Sequence, residues 1–204
     1  PGKSAEEVLA ALARVSPPYV ILQSSYAEDA IALVRGYGKR KISPTAILGM
    51  NAGFTSPDFI PALGPLAEGI LSREVWALDT AEKKPLTGMI NDHFKARYDR
   101  NMTGHSARAF TAFMVLARAL DRAEELDSES IRQAMLKTHI PADQVIMPWE
   151  GVRFDPETGQ NVLGKGIVVQ VQNGEYRTVW PKELKGRPLI WNRKNRGGRT
   201  LHPE

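Results

Sequence analysis

The sequence predicts an α/β fold, a parallel sheet with flanking helices, arranged in two lobes. Three observations carry that expectation. Short apolar runs alternate with amphipathic segments at the spacing of right-handed crossovers. After Asp79 the chain turns to a block of three helices. Near residue 151 it returns to β structure, as though it left one lobe, built part of another and came back.

The elements follow in order. Ser4-Ala5-Glu6-Glu7 reads as a capping box, with Val8, Leu9, Leu12 and Val15 as the apolar stripe behind it. That helix stops at Ser16-Pro17-Pro18. "YVILQ" (19–23) is a strand expected to be buried on both faces. "AEDAIALVRGYG" (27–38) is a helix with acids in its first turn and glycines at its end. "PTAILGM" (44–50) and "GILSREVW" (69–76) are the next strands, separated by a short helix opening near Ser56-Pro57-Asp58. Residues 85–139 read as three helices. The middle one, 106–123, is apolar nearly all round, with Phe110, Phe113, Met114, Ala117 and Leu120 on a face expected to be buried. The third opens at "DSES". "GVRFD" (151–155) is a short strand and "PETGQ" a turn. "GIVVQVQ" and "EYRTVW" form a hairpin across Asn173-Gly174, a pair that supplies the two positive φ angles of a type I′ turn.

Composition bounds the function classes. The 204 residues are 42% hydrophobic and 25% charged, the balance of a globular protein with a sizeable core. No apolar run approaches the ~18 residues of a membrane helix. There is no cysteine, which excludes disulfides, thiolate metal sites and a Cys nucleophile. The pI of 9.4 invites a nucleic-acid reading. From Pro181 to Glu204, however, seven Lys or Arg face two acids, a net of +5, which leaves residues 1–180 at about −1. The body therefore carries no global basic face, and no nucleic-acid partner is expected. The basic segment 181–204 reads as a solvated tail. The chain begins Pro1-Gly2, with neither an initiator Met nor the apolar core of a signal peptide, and is read as a mature product, a shortened chain or a fragment.

Several motifs dissolve on inspection. "GQNVLGKG" (159–166) fits the glycines and lysine of a phosphate loop. It ends in Gly166 where Ser or Thr would hold magnesium, and a strand follows where a helix should, so it reads as a Gly-bearing connector. "DPETG" lacks the spaced acids of a calcium loop. His93, His105, His139 and His202 show no metal-ligand spacing. Ser106 beside His105 is no triad, since neighbours on a helix face different ways. Asn101-Met102-Thr103 is a glycosylation sequon of the kind that chance supplies. No catalytic residue, metal or cofactor is expected.

One short stretch does stand out. The strand "VILQ" ends in Ser24, Ser25 and Tyr26, and a helix begins at Ala27. Carboxyl ends of parallel strands next to helix starts are where α/β sheets bind ligands. The residues leave two readings open: the hydroxyls cap the helix, or they extend its N–H groups into a ligand-binding edge. The next strand end, "GMNAGF", would lie alongside, with Asn51 as an amide, Met50 and Phe54 as apolar walls, and Gly49 and Gly53 for close approach.

With those residues placed, the chain resembles the C-terminal portion of a type I periplasmic binding protein of the Leu/Ile/Val-binding family. "PPYVILQSSYAEDAIALVRGYGKRKISPTAILG", "ALGPLAEGIL", "FKARYDRNMTGHSARAFTAFMVLARALDRA", "SIRQAMLKT", "GVRFDPETGQ" and "VVQVQNGEYRTVWP" occur in the family's order, over roughly residues 5–181. The resemblance implies two Rossmann-like lobes that are incomplete in this chain. Residues 1–78 with 166–180 would be the later part of lobe 2 and 79–155 the later part of lobe 1, with 156–165 a crossover and 181–204 the tail. It also implies a solute-binding component of an ABC importer, exported to the periplasm and serving the importer's permease subunits in the membrane. A ligand-sensing regulator on the same fold, or a small α/β enzyme, are the alternatives. The implied ligand contacts are Ser24, Ser25, Tyr26, Ala27, Met50, Asn51 and Phe54, with Tyr26 at the position of a cleft tyrosine. Asn51 or Ala52 falls where amino-acid binders of the family often carry an acid for the ligand's ammonium. With no acid there, an aromatic or aliphatic carboxylate or an amide is as fitting a solute as an amino acid.

Overall fold

The computed structural model describes residues 4–50, 52–184 and 186–191. The chain divides into two compact units, Pro1–Arg73 with Val169–Arg177 and Arg187–Glu204, and Glu74–Val168 with Thr178–Gly186. The first crossing thus falls at Arg73/Glu74, a few residues before the expected 78/79. Residues 156–165 are part of the second unit, not a separate crossover. The two closing strands each pass from one unit to the other.

The first unit is built on a sheet of order β1-β2-β3-β6-β7. β1 (Val20–Ser24), β2 (Ala46–Met50) and β3 (Leu71–Glu74) run parallel. β6 (Ile167–Gln172) and β7 (Glu175–Trp180) are joined by Asn173-Gly174, whose φ angles of 56° and 75° make the expected type I′ turn. A two-residue loop joins antiparallel neighbours, so the sheet is mixed. The Glu68 carboxylate accepts from both turn amides.

Helices cover one face of this sheet. α1 (Ala5–Leu12) opens on the Ser4 capping box with both arms formed. α2 (Ala27–Lys39) and the short α3 (Phe59–Leu63) complete the layer. Beneath them Ile21, Val34, Tyr37, Phe54, Phe59, Ile70 and Val171 form one core. The opposite face is bare toward the β1 edge. Val20 is 53% exposed and Leu22 75%, so β1 is not buried on both sides as expected. Further along the same face, the buried Gln170 and Gln172 hold the chain after Arg187. Gln170 donates to Ile190 O at 2.8 Å and accepts from Ile190 N at 2.9 Å, and Gln172 donates to Pro188 O at 2.9 Å. The tail expected to be solvated is therefore pinned to the sheet at residues 188–190. Its remainder, 192–204, lies outside the described residues.

The second unit holds α4 (Pro85–Tyr98), α5 (Gly104–Arg122) and α6 (Ser128–Leu136), with a two-stranded ladder of β4 (His139–Pro141) and β5 (Gly151–Arg153). The sequon residues serve structure. Asn101 Oδ1 accepts from the Asn91 amide at 3.1 Å, Met102 is buried, and Thr103 forms a capping box with Ser106 at the start of α5. On α5 the buried stripe is Ala107, Thr111, Val115 and Ala119, while Phe113 is 67% exposed and Met114 and Leu120 are also exposed. The expected face is thus only partly buried: Phe110 packs half-buried against Trp76 and its neighbours, while Phe113, Met114 and Leu120 are left outward. The turn after β5 is closed by the Asp155 carboxylate, which accepts from the amides of Glu157 and Thr158.

The Gln170 and Gln172 contacts generate a stability prediction. A chain ending at residue 186 leaves those two amides without three of their main-chain partners. It should be about 1–3 kcal/mol less stable than a chain ending at residue 191. That corresponds to a fall in melting temperature of roughly 2–4 °C per kcal/mol, read by calorimetry.

Candidate functional site at the carboxyl edge of β1 and β2

Parallel pairing sets β1 and β2 in the register Val20↔Ala46 through Ser24↔Met50, so both strands end side by side. Ser24 is exposed, Ser25 half-buried, and Tyr26 74% exposed. Ala27, the first residue of α2, is half-buried, and Met50 is 36% exposed. The edge thus presents hydroxyls, a phenol and a thioether to solvent within one unit.

One of the expected residues does take the N-cap position, but without a capping side chain. The N-cap of α2 is Tyr26 in extended conformation, and its side chain makes no cap hydrogen bond. Ser25 Oγ instead accepts from Gln23 Nε2 at 3.0 Å, and Gln23 Oε1 accepts from the buried Tyr37 hydroxyl at 2.7 Å. Burial, with the neighbouring Tyr19 second, pushes the Tyr37 pKa up to about 12. The phenol therefore stays protonated as a donor across the physiological range. The relay from Tyr37 through Gln23 fixes Ser25 Oγ as an acceptor, which leaves its own hydrogen to be donated elsewhere. Glu28 and Asp29 in the first turn of α2 complement the helix dipole.

The second strand end meets the first through a glycine. A Cβ on Gly53 would lie 2.6 Å from the Tyr26 carbonyl carbon and closer still to Ser25 O, so only glycine lets the 3-10 turn Ala52–Phe54 close on the Ser25–Tyr26 backbone. Phe54 departs from expectation. Its side chain is fully buried, not a wall of the edge. The ring fills the space over Gly49, where any Cβ would collide with it, and tilts against Phe59 with centroids 5.2 Å apart. Tyr176 Oη donates to Phe54 O at 2.6 Å and holds the turn from beneath. Asn51 lies outside the described residues.

Of the expected contacts the structure thus brings together Ser24, Ser25, Tyr26, Ala27 and Met50, and it removes Phe54 to the core. Gly53 makes the close approach expected of it, though to backbone, while Gln23 and Tyr37 were missed as supports. The available signal for Gln23 was a lone amide inside an apolar strand. A cavity of about 480 Å³ in the same unit opens among Ala46, Leu71, Ile190 and Trp191, at the opposite end of β2 and β3. It shares no residue with the hydroxyl-bearing edge.

The structural supports lead to a test. Gly53→Ala must push the turn off the Ser25–Tyr26 backbone and should destabilise the fold by about 1–3 kcal/mol. Ala52→Ser, at the adjoining position and already bearing a Cβ, should cost well under that. Denaturant unfolding of both variants gives the comparison.

Comparison with known proteins gives a concordant picture. The family model described as periplasmic binding protein matches residues 2–175. Leu/Ile/Val-binding protein homolog 7 of Brucella suis biovar 1 (strain 1330) is 25% identical over 165 residues, 79% of this chain and 41% of that protein. Homolog 8 of Brucella abortus (strain 2308) is 26% identical over 167 residues, 80% of this chain and 41% of that protein. A leucine binding protein from Thermotoga maritima superposes with a TM-score of 0.72 at 21% identity, over 87% of this chain and 48% of its own. A solute binding protein from R. palustris, solved in complex with benzoate, does so with a TM-score of 0.66 at 13% identity, over 88% of this chain and 47% of its own. These neighbours have the type I periplasmic binding protein fold. The chain spans about two fifths of the length of the curated relatives it matches, so the fold is incomplete within it.

Proposed function

This chain belongs to the periplasmic binding protein family, and from that membership we propose that it forms part of a solute-binding component of an ABC importer. The first unit is the later part of one lobe and the second the later part of the other. The carboxyl edge of β1 and β2, within the first unit, is the surface that contacts a small solute. Closure of the lobes would present the loaded protein to permease subunits in the membrane, in the periplasm where family members typically work.

The observation that carries this reading is the chemistry Ser25 and Tyr26 bring to the edge. Both sit where parallel strands end, the Tyr26 side chain does not cap α2, and a buried relay holds Ser25 Oγ as an acceptor with its own hydrogen still to donate. The solute class follows from what the edge offers. Hydroxyl donors and the start of α2 suit a carboxylate, and the Tyr26 ring and Met50 suit an apolar body. The relatives' names mention leucine, isoleucine and valine, and one neighbour holds benzoate. An amino acid or a simple apolar carboxylate is therefore the proposed cargo.

Calorimetric titration with leucine and with benzoate tests this. Tyr26→Ala should weaken binding of the cargo at least tenfold, about 1.4 kcal/mol. Its melting temperature should hold, because the ring is three-quarters exposed. Unchanged affinity in Tyr26→Ala would place the site elsewhere.

A further inference from the structure

The second unit contains a cleft of about 760 Å³, inside the 300–1,000 Å³ range of small-molecule sites. Part of its wall is apolar and aromatic. Trp149 and Trp180 border it together with Pro85, Pro148 and Pro181. Pro148 is buried, Trp149 half-buried and Trp180 58% exposed, so one indole is anchored in the core and the other stands at the mouth. Such side chains lose little conformational entropy on binding a flat apolar body.

One cation in this wall has unfinished chemistry. Lys84 is half-buried, and its Nζ donates to Ala142 O at 2.7 Å. An ammonium carries three protons, so this bond uses one. Burial lowers the Lys84 pKa, and the charge of Asp143 opposes that shift without cancelling it. A carboxylate entering the cleft would offer an acceptor to the two remaining protons and add to the countercharge of Asp143. Lys165, on the same wall, is already paired with Glu150 at 3.7 Å. Lys83, Asp143, Glu150 and Glu183 also line the cleft, so its three lysines and three acids balance, which suits a singly charged anion better than a multiply charged one such as a phosphate ester.

We propose that this cleft is a second binding site, for a monocarboxylate with a flat apolar body, its carboxylate on Lys84 and its body against Trp149 and Trp180. All of its residues belong to the second unit, so the proposal stands apart from the Ser24–Tyr26 edge and either can fail alone.

The test is a titration of the ¹⁵N-labelled chain with phenylacetate, following the four indole N–H resonances, assigned from Trp→Phe variants. The Trp149 and Trp180 signals should move saturably with a Kd below about 1 mM, while those of Trp76 and Trp191 stay still. Phenylacetamide, the neutral isostere, should bind at least tenfold more weakly, and so should phenylacetate to Lys84→Met, which keeps the apolar stem. The amide comparison uses the unmodified chain, so it stands even if the variant folds poorly. Still signals at Trp149 and Trp180, equal shifts at all four indoles, or equal affinity for acid and amide would each overturn the proposal.

Discussion

The parallel alignment of β1 with β2 is the constraint on which the rest of the site depends. A parallel pair needs a crossover, here α2, and it delivers both carboxyl ends to one edge. Ser24 therefore sits opposite Met50 without any specific contact being required to bring them together. Everything nearby refines that placement. Gly53 allows the second strand's turn to close on the first strand's end, and Phe54 locks that turn by filling the space over Gly49. Below, Tyr37 and Gln23 hold Ser25 from the core side. The edge is thus a by-product of topology, sharpened by two glycines and one buried amide.

The same topology explains what is left uncovered. Parallel sheets are normally covered on both faces. Here Leu22, Leu48 and Leu71 are register partners on three successive strands, and the outermost is three-quarters exposed. In the second unit Phe113, Met114 and Leu120 of α5 also face outward. Both faces belong to a chain that spans 41% of the length of its curated relatives. An incomplete fold leaves apolar surface that its own residues cannot cover.

How much of this the sequence disclosed depended on range. Local chemistry was legible. The Ser4 box, the Asp127 cap that accepts from Ser130, and the Asn173-Gly174 hairpin are all set by a few adjacent residues. The alternation of strands and helices, and with it the position of the Ser24–Tyr26 edge, was legible for the same reason. Burial was not. Reading β1 and α5 as buried all round assumed that each apolar face meets a partner within the chain. Phe54 looked like a pocket wall because nothing local reveals that Gly49, five residues earlier, vacates the space its ring occupies. The tail looked solvated by charge alone, yet two glutamines over a hundred residues from Gly69 and within twenty of Ile190 bind its backbone. The amides were in the sequence, but their partner was not readable from it.

The central claim is that the β1/β2 carboxyl edge faces the solute. Hydrogen–deuterium exchange with and without leucine, resolved to single residues across 20–60, tests it most directly. The account predicts slowed exchange at the amides of Tyr26 through Asp29, where the uncapped start of α2 would meet the solute, with little change at residues 34–46. Protection absent from those amides while leucine is shown to bind would contradict it.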